Sequence, residues 1–348
     1  MTAWAQNQIA DLLGISKIEI TLQDLSGDAG FRHYYRTELS GTSFIVVDSP
    51  AETEDNEAFV RITDTFRQAG MITPQVLRVD YQRGFMLQED FGDRLYLQAL
   101  QASCNAPDEI DRLYKLAIDA LVTLQKNADV HEFSAFDREL LHEEMALFQS
   151  WFCEKYLELT LSKSESELIA ESFHFLEDQA LNQRQVVVHR DYHSRNLMIP
   201  DSERYGDDHI PAVIDFQDAV TGPYTYDLVS LLRDCYISWP LSYVRNLGLY
   251  YRRCAEREGV ISDIDEAEFF RNFDLMGLQR NLKVMGIFAR LSIRDNKPQY
   301  LADIPQTIRY FTEVAPQYPE LATFLDWFTQ KILPMAIHAL PSGELCER

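Results

Sequence analysis

The first 89 residues alternate between helical and extended hydrophobic patterns. The apolar positions at helical spacing in the opening segment are Trp4, Ile9, Leu12 and Leu13. Further along, strand-like alternation leads to a turn at Gly41 and then to the apolar run 44–47. This part of the chain therefore predicts one amphipathic helix followed by two strands.

A second helix and a hairpin complete this region. The signals for the helix are a cap at Asp55 or Asn56, apolar positions at Phe59, Ile62 and Phe66, and a stop at Gly70. Residues 76–89 predict a hairpin that turns near residues 82–84.

From Asp90 onward the pattern is mainly helical, interrupted by short apolar strands at 186–188 and 212–214. We therefore predict an α+β, bilobal fold. Its small β-rich lobe is expected over residues 1–89, and its large, mainly helical lobe over residues 90–348.

Composition and charge narrow the class of protein. The chain has 348 residues and a formal charge of −23, which argues against nucleic acid or an anionic membrane as partner, because both require a basic footprint. The five cysteines include no CxxC pair and predict reduced thiols. We see no signal peptide, and no apolar run reaches the roughly 18 residues of a membrane span. We expect a soluble, cytoplasmic protein.

The two later strands each lead into a loop that carries polar side chains. Asp191 follows the strand 186–188, Asn196 comes five residues later, and Asp215 follows the strand 212–214. Phosphoryl transfer needs a carboxylate to orient and deprotonate the attacking hydroxyl, and oxygen ligands to hold Mg²⁺ against the phosphates. Asp191 fits the role of catalytic base. Asn196 and Asp215 fit the role of metal ligands, since a neutral Asn adds no repulsion between carboxylates.

These loops resemble the protein-kinase-like superfamily, whose motifs are H-R-D-x-x-x-x-N and D-F-G. The matching residues are His189-Arg190-Asp191, Asn196 and Asp215-Phe216-Gln217. Asp227 comes only twelve positions after Asp215, and no A-P-E motif follows, so the chain has no room for the peptide-binding platform of a protein kinase. The resemblance implies ATP and Mg²⁺ as cofactors. It also implies nucleotide binding by residues 1–89 and catalysis and substrate binding by residues 90–348.

The short metal loop and Asp227 resemble the aminoglycoside and choline phosphotransferase family. Within it, the chain is most similar to bacterial cell-wall-recycling kinases that phosphorylate the anomeric hydroxyl of N-acetylmuramate and N-acetylglucosamine. The segments that carry this similarity are GDAGFRHYYR (27–36), VVDSP (46–50), QEDFGD (88–93), EMALFQSWF (144–152), HRDYHSRNLM (189–198), QRNLKVMGIFARLSIRDNK (279–297) and YLADIP (300–305). The resemblance implies phosphorylation of an amino sugar in peptidoglycan recycling.

The nucleotide site is expected in the small lobe. The predicted nucleotide-binding residues are Gly27, Asp28, Ala29, Gly30 and Arg32 at the phosphates, and Gln88, Glu89 and Asp90 at the adenine. The usual lysine of a kinase's small lobe is missing, because no Lys occurs between Lys17 and Lys115. Arg32 or Arg36 could supply its charge, and Glu57 loses its expected lysine partner.

The acceptor site is sought on a later helix. The basic residues that share roughly one quadrant of the helix predicted over 275–293, or directly follow it, are Arg280, Lys283, Arg290 and Arg294. This stripe could face an anionic substrate such as a lactyl carboxylate, or it could be a solvated face paired with acids. Arg195, beside the base, could neutralise phosphoryl charge. The candidate substrate ligands are Arg195, Arg280, Lys283 and Arg290.

Three alternatives stay open at this point. The acceptor could be an aminoglycoside, choline or a homoserine-type alcohol, although the basic stripe does not suit a cation. The missing lysine suggests a nucleotide-binding pseudokinase, and the intact Asp191, Asn196 and Asp215 argue against it. A protein kinase is disfavoured by the short metal loop.

Overall fold

The computed structural model describes residues 1–25, 31–206 and 209–341, with the side chains of Ser202 and Glu203 left undescribed. The chain forms two compact units. The N-terminal unit comprises Met1–Ala128 and Arg195–Asp218, and the C-terminal unit comprises Asp129–Ser194 and the chain from Ala219 onward. In this division residues 90–128 and Arg195–Asp218 group with the first 89 residues, so the boundary does not fall at residue 89. The predicted functional roles of the two lobes remain predictions.

The elements follow one another in a mixed order. The strands are β1 (Gln23–Leu25), β2 (His33–Leu39), β3 (Thr42–Asp48), β4 (Val76–Asp80), β5 (Phe85–Glu89), β6 (Gln185–Val188), β7 (Leu197–Met198), β8 (Ala212–Val213) and β9 (Val220–Pro223). The α-helices are α1 (Thr2–Leu13), α2 (Asn56–Gln68), α3 (Tyr96–Ala102), α4 (Pro107–Asn127), α5 (Arg138–Leu147), α6 (Lys163–Leu181), α7 (Ser202–Tyr205), α8 (Tyr226–Leu232), α9 (Leu241–Arg257), α10 (Glu266–Arg294), α11 (Ile304–Val314), α12 (Ala322–Trp327) and α13 (Leu333–Ala339). Two π-helical segments, Phe148–Tyr156 and Phe328–Ile332, and short 3₁₀ turns complete the chain.

The N-terminal unit is built on a five-stranded antiparallel sheet in the order β1-β2-β3-β5-β4. Helix α1 buries Trp4 and Ile9 against Phe44 and Leu87 of this sheet, as its hydrophobic spacing predicts. The prediction that Leu13 shares this face is wrong, because the helix ends there and the side chain is exposed.

Helix α2 supports the loop that carries the predicted metal ligand Asp215. Asp55 caps the helix by accepting the backbone N–H of Ala58 at 2.8 Å. On its buried face, the rings of Phe59 and Phe66 pack on Phe216, with centroids 5.2 and 5.6 Å away. Phe216 therefore anchors the residue after Asp215 in the hydrophobic core.

The C-terminal unit is mainly helical and packs around α10, which is buried over most of its length. A Cβ at Gly286 would lie 2.3 Å from the carbonyl carbon of Leu147, so only glycine permits this approach of α10 to α5. The close packing brings Glu144 of α5 to Lys283 of α10. The small sheet of this unit pairs β6 with β9 in antiparallel register.

Among the described residues, no helix combines the length and the apolar character required to cross a bilayer. Among the described cysteines, Cys104, Cys153, Cys235 and Cys254 form no disulfide.

Candidate active site

The loop after β6 carries Asp191 and is held by a buried carboxylate of α8. Asp227 accepts the backbone N–H groups of His189 at 2.7 Å and of Arg190 at 3.0 Å. The N–H of Asp191 donates to Nδ1 of His189 at 3.2 Å. Arg190 has a φ of 77°, which is costly for a residue with a side chain and which these hydrogen bonds stabilise. Burial raises the pKa of Asp227 to about 7, and its two backbone donors oppose that rise.

Positive charges surround the carboxyl group of Asp191. Burial alone would raise its pKa, but Lys283, His193 and Arg280 outweigh that effect and hold the pKa well below its usual range. Asp191 is therefore ionised throughout the physiological pH range, as an acceptor of a hydroxyl proton must be.

A buried charge network lies beside this loop. Glu144 accepts hydrogen bonds from Arg190 and, at 2.8 Å, from Lys283, whose ammonium also donates to the Tyr226 hydroxyl at 2.7 Å. Although burial opposes it, the charges of Lys283 and Arg190 lower the pKa of Glu144. The network keeps Arg190 and Lys283 charged and fixed in place.

The predicted basic stripe of α10 divides into different environments. Lys283 is buried and paired with Glu144, whereas the exposed Arg294 pairs with Asp295 at 2.8 Å. Arg290 is half-buried, and burial lowers its pKa. Arg280 is 5% exposed, and its Nε is buried without a hydrogen-bond partner among the residues that the structure describes. The spacing on the helix was predicted correctly, but the common solvated face is wrong, since neighbouring helices cover most of α10.

The two predicted metal ligands are brought together by a two-stranded ladder within the N-terminal unit. Asn196 precedes β7 and Asp215 follows β8, and Leu197 pairs with Val213 between them. The amide nitrogen of Asn196 lies 3.3 Å from a carboxylate oxygen of Asp215. Asp215 is exposed and has a φ of 63°, in the left-handed region. Two adjacent oxygen-bearing side chains fit Mg²⁺, which typically takes one or two protein ligands alongside substrate phosphates.

In the N-terminal unit, the side chain of Arg32 is buried and paired with a carboxylate. It forms an ion pair with Glu54 at 2.9 Å, donates to Oγ of Ser49 at 3.2 Å and lies over the ring of Phe59. Burial raises the pKa of Tyr34 to about 12, with Arg32 lowering it and Asp215 raising it. Arg32 and Asp215 therefore both act on Tyr34, which indicates that they face the same part of this unit.

Arg36, the other candidate for the missing lysine, is paired with two carboxylates. Its guanidinium pairs with Asp90 at 2.6 Å and with Asp93 at 2.8 Å. Glu57 is exposed, and the acid that pairs with the phosphate-binding candidate is Glu54. Sequence reasoning missed Glu54; the available signal was an acid close to the start of α2.

The other predicted nucleotide ligands have diverse environments. Gln88 and Glu89 lie in the inner strand β5, where they pair with Ile45 and Phe44 of β3. The side chain of Glu89 accepts the Tyr205 hydroxyl at 2.6 Å. Asp90 follows the strand and accepts from Ser43 at 2.5 Å. Their contact with adenine remains a prediction, as does the role of Arg195, which directly precedes Asn196. The loop Gly27-Asp28-Ala29-Gly30 lies outside the described residues.

The chain belongs to the phosphotransferase enzyme family (APH), whose model matches residues 21–260. It is 38% identical to the N-acetylmuramate/N-acetylglucosamine kinase of Pseudomonas putida, over 92% of this chain and 93% of that protein. The kinase of the same name from Neisseria meningitidis is 37% identical over 85% of this chain and 86% of its own length. The predicted resemblance to these kinases is confirmed.

Solved structures support the same fold. The ADP-bound aminoglycoside phosphotransferase APH(2'')-Ib matches with a TM-score of 0.56 and 15% identity, over 89% of this chain and 98% of that chain. The choline kinase LicA of Streptococcus pneumoniae matches with a TM-score of 0.58 and 12% identity, over the same shares. The predicted protein-kinase-like α+β fold, β-rich at the N-terminus and mainly helical at the C-terminus, is confirmed.

Proposed function

We propose that the protein is an ATP- and Mg²⁺-dependent kinase that phosphorylates the anomeric hydroxyl of N-acetylmuramate and N-acetylglucosamine. The observation that carries the proposal is the H-R-D loop with an ionised Asp191, followed by Asn196 beside Asp215. The relatives support the choice of acceptor, since their similarity extends over 85–92% of the chain. The proposed place of action is the cytoplasm, in peptidoglycan recycling.

Asp191 is assigned the role of base. Its carboxylate accepts the proton of the attacking hydroxyl and orients the oxygen toward the γ-phosphorus. Because its pKa is depressed, the group needs no prior deprotonation at neutral pH. Asp227 is a positioning residue, since it holds the backbone on the N-terminal side of Asp191 and does not touch the reacting atoms.

Asn196 and Asp215 are assigned to Mg²⁺, which when bound neutralises charge on the nucleotide's phosphates. Arg32 is assigned to the phosphates in place of the missing lysine, with Glu54 orienting its guanidinium. This pair argues against a pseudokinase, because the lysine–glutamate pair that the sequence lacks has an arginine–glutamate equivalent.

The test is an ATP-consumption screen with amino sugars, hexoses, aminoglycosides, choline and homoserine as acceptors. Turnover confined to N-acetylated amino sugars, with a ³¹P resonance of a sugar 1-phosphate, is the expected result. Turnover of choline or an aminoglycoside alone would replace the proposed acceptor. No turnover with any acceptor, together with intact nucleotide binding, would favour the pseudokinase.

A further inference from the structure

Arg280 is a buried cation that forms no ion pair with any carboxylate in the part of the chain that the structure describes. It is 5% exposed, and its Nε is buried without a hydrogen-bond partner among the described residues. Burial of a charged group without a partner is costly, and proteins normally pair it. The cost is explained if the partner is a ligand.

Three other cations of this unit have carboxylate partners. Lys283 and Arg190 share Glu144, and Arg233 pairs with Asp274. Arg280 lies on the same helix as Lys283, three residues earlier, and yet has no such ion pair in the described chain. Arg280 therefore differs from these cations because it lacks a paired carboxylate, and not because of its burial.

The two carboxylates that act on Arg280 through space have other roles. Asp234 accepts the backbone N–H of Ser194 at 3.0 Å, its hydroxyl at 2.5 Å and the N–H of Tyr236 at 2.9 Å. Asp191 is the proposed base. Burial opposes a rise in the pKa of Arg280, but Tyr226 and Cys235, followed by Asp191 and Asp234, raise it through space. The guanidinium is thus held charged beside the catalytic loop, where an acceptor must approach Asp191.

We infer that the guanidinium of Arg280 binds the lactyl carboxylate of N-acetylmuramate and so sets the preference between the two proposed acceptors. The inference rests on the proposed function. A planar carboxylate matches the two-pronged donor geometry of arginine, and N-acetylglucosamine has a hydroxyl where N-acetylmuramate carries its lactyl ether. Lys283 is excluded from this role, because Glu144 and Tyr226 already occupy its ammonium.

The experiment compares N-acetylmuramate, its uncharged methyl ester and N-acetylglucosamine as acceptors for the wild-type protein and for Arg280→Gln. The wild type is expected to prefer the acid to the ester by roughly 10- to 100-fold in kcat/KM, the usual worth of a hydrogen-bonded charge pair. In Arg280→Gln, the ratio of kcat/KM for N-acetylmuramate to kcat/KM for N-acetylglucosamine is expected to fall by a similar factor. A loss of activity that affects both sugars equally does not change this ratio. Arg280→Lys keeps the positive charge but loses the planar, two-pronged donor geometry of arginine, so it should give an intermediate ratio.

Arg294→Gln is the matched control, an exposed arginine of the same helix that already pairs with Asp295; its ratio should equal that of the wild type. An ester as good as the acid in the wild type would overturn the inference, even if the variants fail to fold. An unchanged ratio in Arg280→Gln, or a loss expressed only in the KM for ATP, would overturn it as well. If one of these outcomes occurs and the wild type still turns over both sugars, the inference about Arg280 fails but the proposed function stands. If the wild type turns over neither sugar, both the inference and the proposed function fail.

Discussion

The two loops that carry the proposed chemistry are stabilised in opposite ways. In the C-terminal unit, the loop of Asp191 is braced by Asp227 and lies beside the buried charges of Glu144, Arg190 and Lys283. In the N-terminal unit, Asn196 and the exposed Asp215 are joined by a short strand ladder and by one amide contact.

The difference corresponds to what each loop must do. A catalytic base must keep one position and one charge state, and fixed charges of the protein around it can maintain both. A metal ligand must remain accessible until the cation and its phosphates arrive, so an exposed carboxylate is suited to that role. Buried networks of this kind cost desolvation energy, which is acceptable where they orient functional groups.

The largest expected effect comes from the braced loop. Asp191→Asn removes the proton acceptor with little change of shape, and we expect kcat to fall by about 10²–10⁴. Nucleotide affinity, measured by calorimetry, should change by less than about threefold, since the proposed role of Asp191 lies with the acceptor. A variant that retains wild-type turnover would refute the assignment of the base.

The next effect tests the exposed loop. Asp215→Ala should abolish the increase in nucleotide affinity that Mg²⁺ produces, because it removes the only carboxylate assigned to the metal. ATP affinity is measured with and without Mg²⁺, and Asp64→Ala, an exposed aspartate of α2, is the control. If Mg²⁺ strengthens ATP binding equally in both variants, Asp215 is not the ligand.

A smaller effect is expected for the cation of the N-terminal unit. Arg32→Gln should raise the KM for ATP by about 10-fold or more, the scale of a charge-assisted hydrogen bond, and Arg32→Lys should recover part of it. Arg61→Gln, an exposed arginine on α2, is the matched control. Equal KM values for the two glutamine variants would contradict the role of Arg32.

The smallest effect concerns the charge next to the base. Lys283 lowers the pKa of Asp191, so Lys283→Met should raise that pKa toward its usual value. Because only the ionised carboxylate accepts a proton, kcat should begin to fall at a higher pH than in the wild type as the solution is acidified. The measurement is the acid limb of the kcat–pH profile. The control is Lys163→Met, which removes an exposed lysine of a surface ion pair. Superimposable acid limbs would show that Lys283 does not set the charge state of the base.

Local pattern was sufficient for most elements of the N-terminal region and for choosing the candidate site residues. Helices α1 and α2, strands β2 and β3 and the β4–β5 hairpin follow from helical and period-two spacing, whereas β1 was not predicted. Asp191, Asn196 and Asp215 follow from strand-to-loop motifs as candidates. Both kinds of signal are contained within a few consecutive residues. They can therefore be read before the fold is known.

What the sequence by itself determined was which chemistry-bearing side chains the chain carries and where each lies along its element. Only the tertiary structure shows the partner of each charge: Glu54 for Arg32, Asp90 for Arg36 and Glu144 for Lys283, with no ion pair of Arg280 among the described residues. Each of these outcomes depends on a partner that folding brings close or leaves out, often from a distant segment. The position of a residue on a helix gives its direction but not what faces it, and only folding brings each charge to its partner.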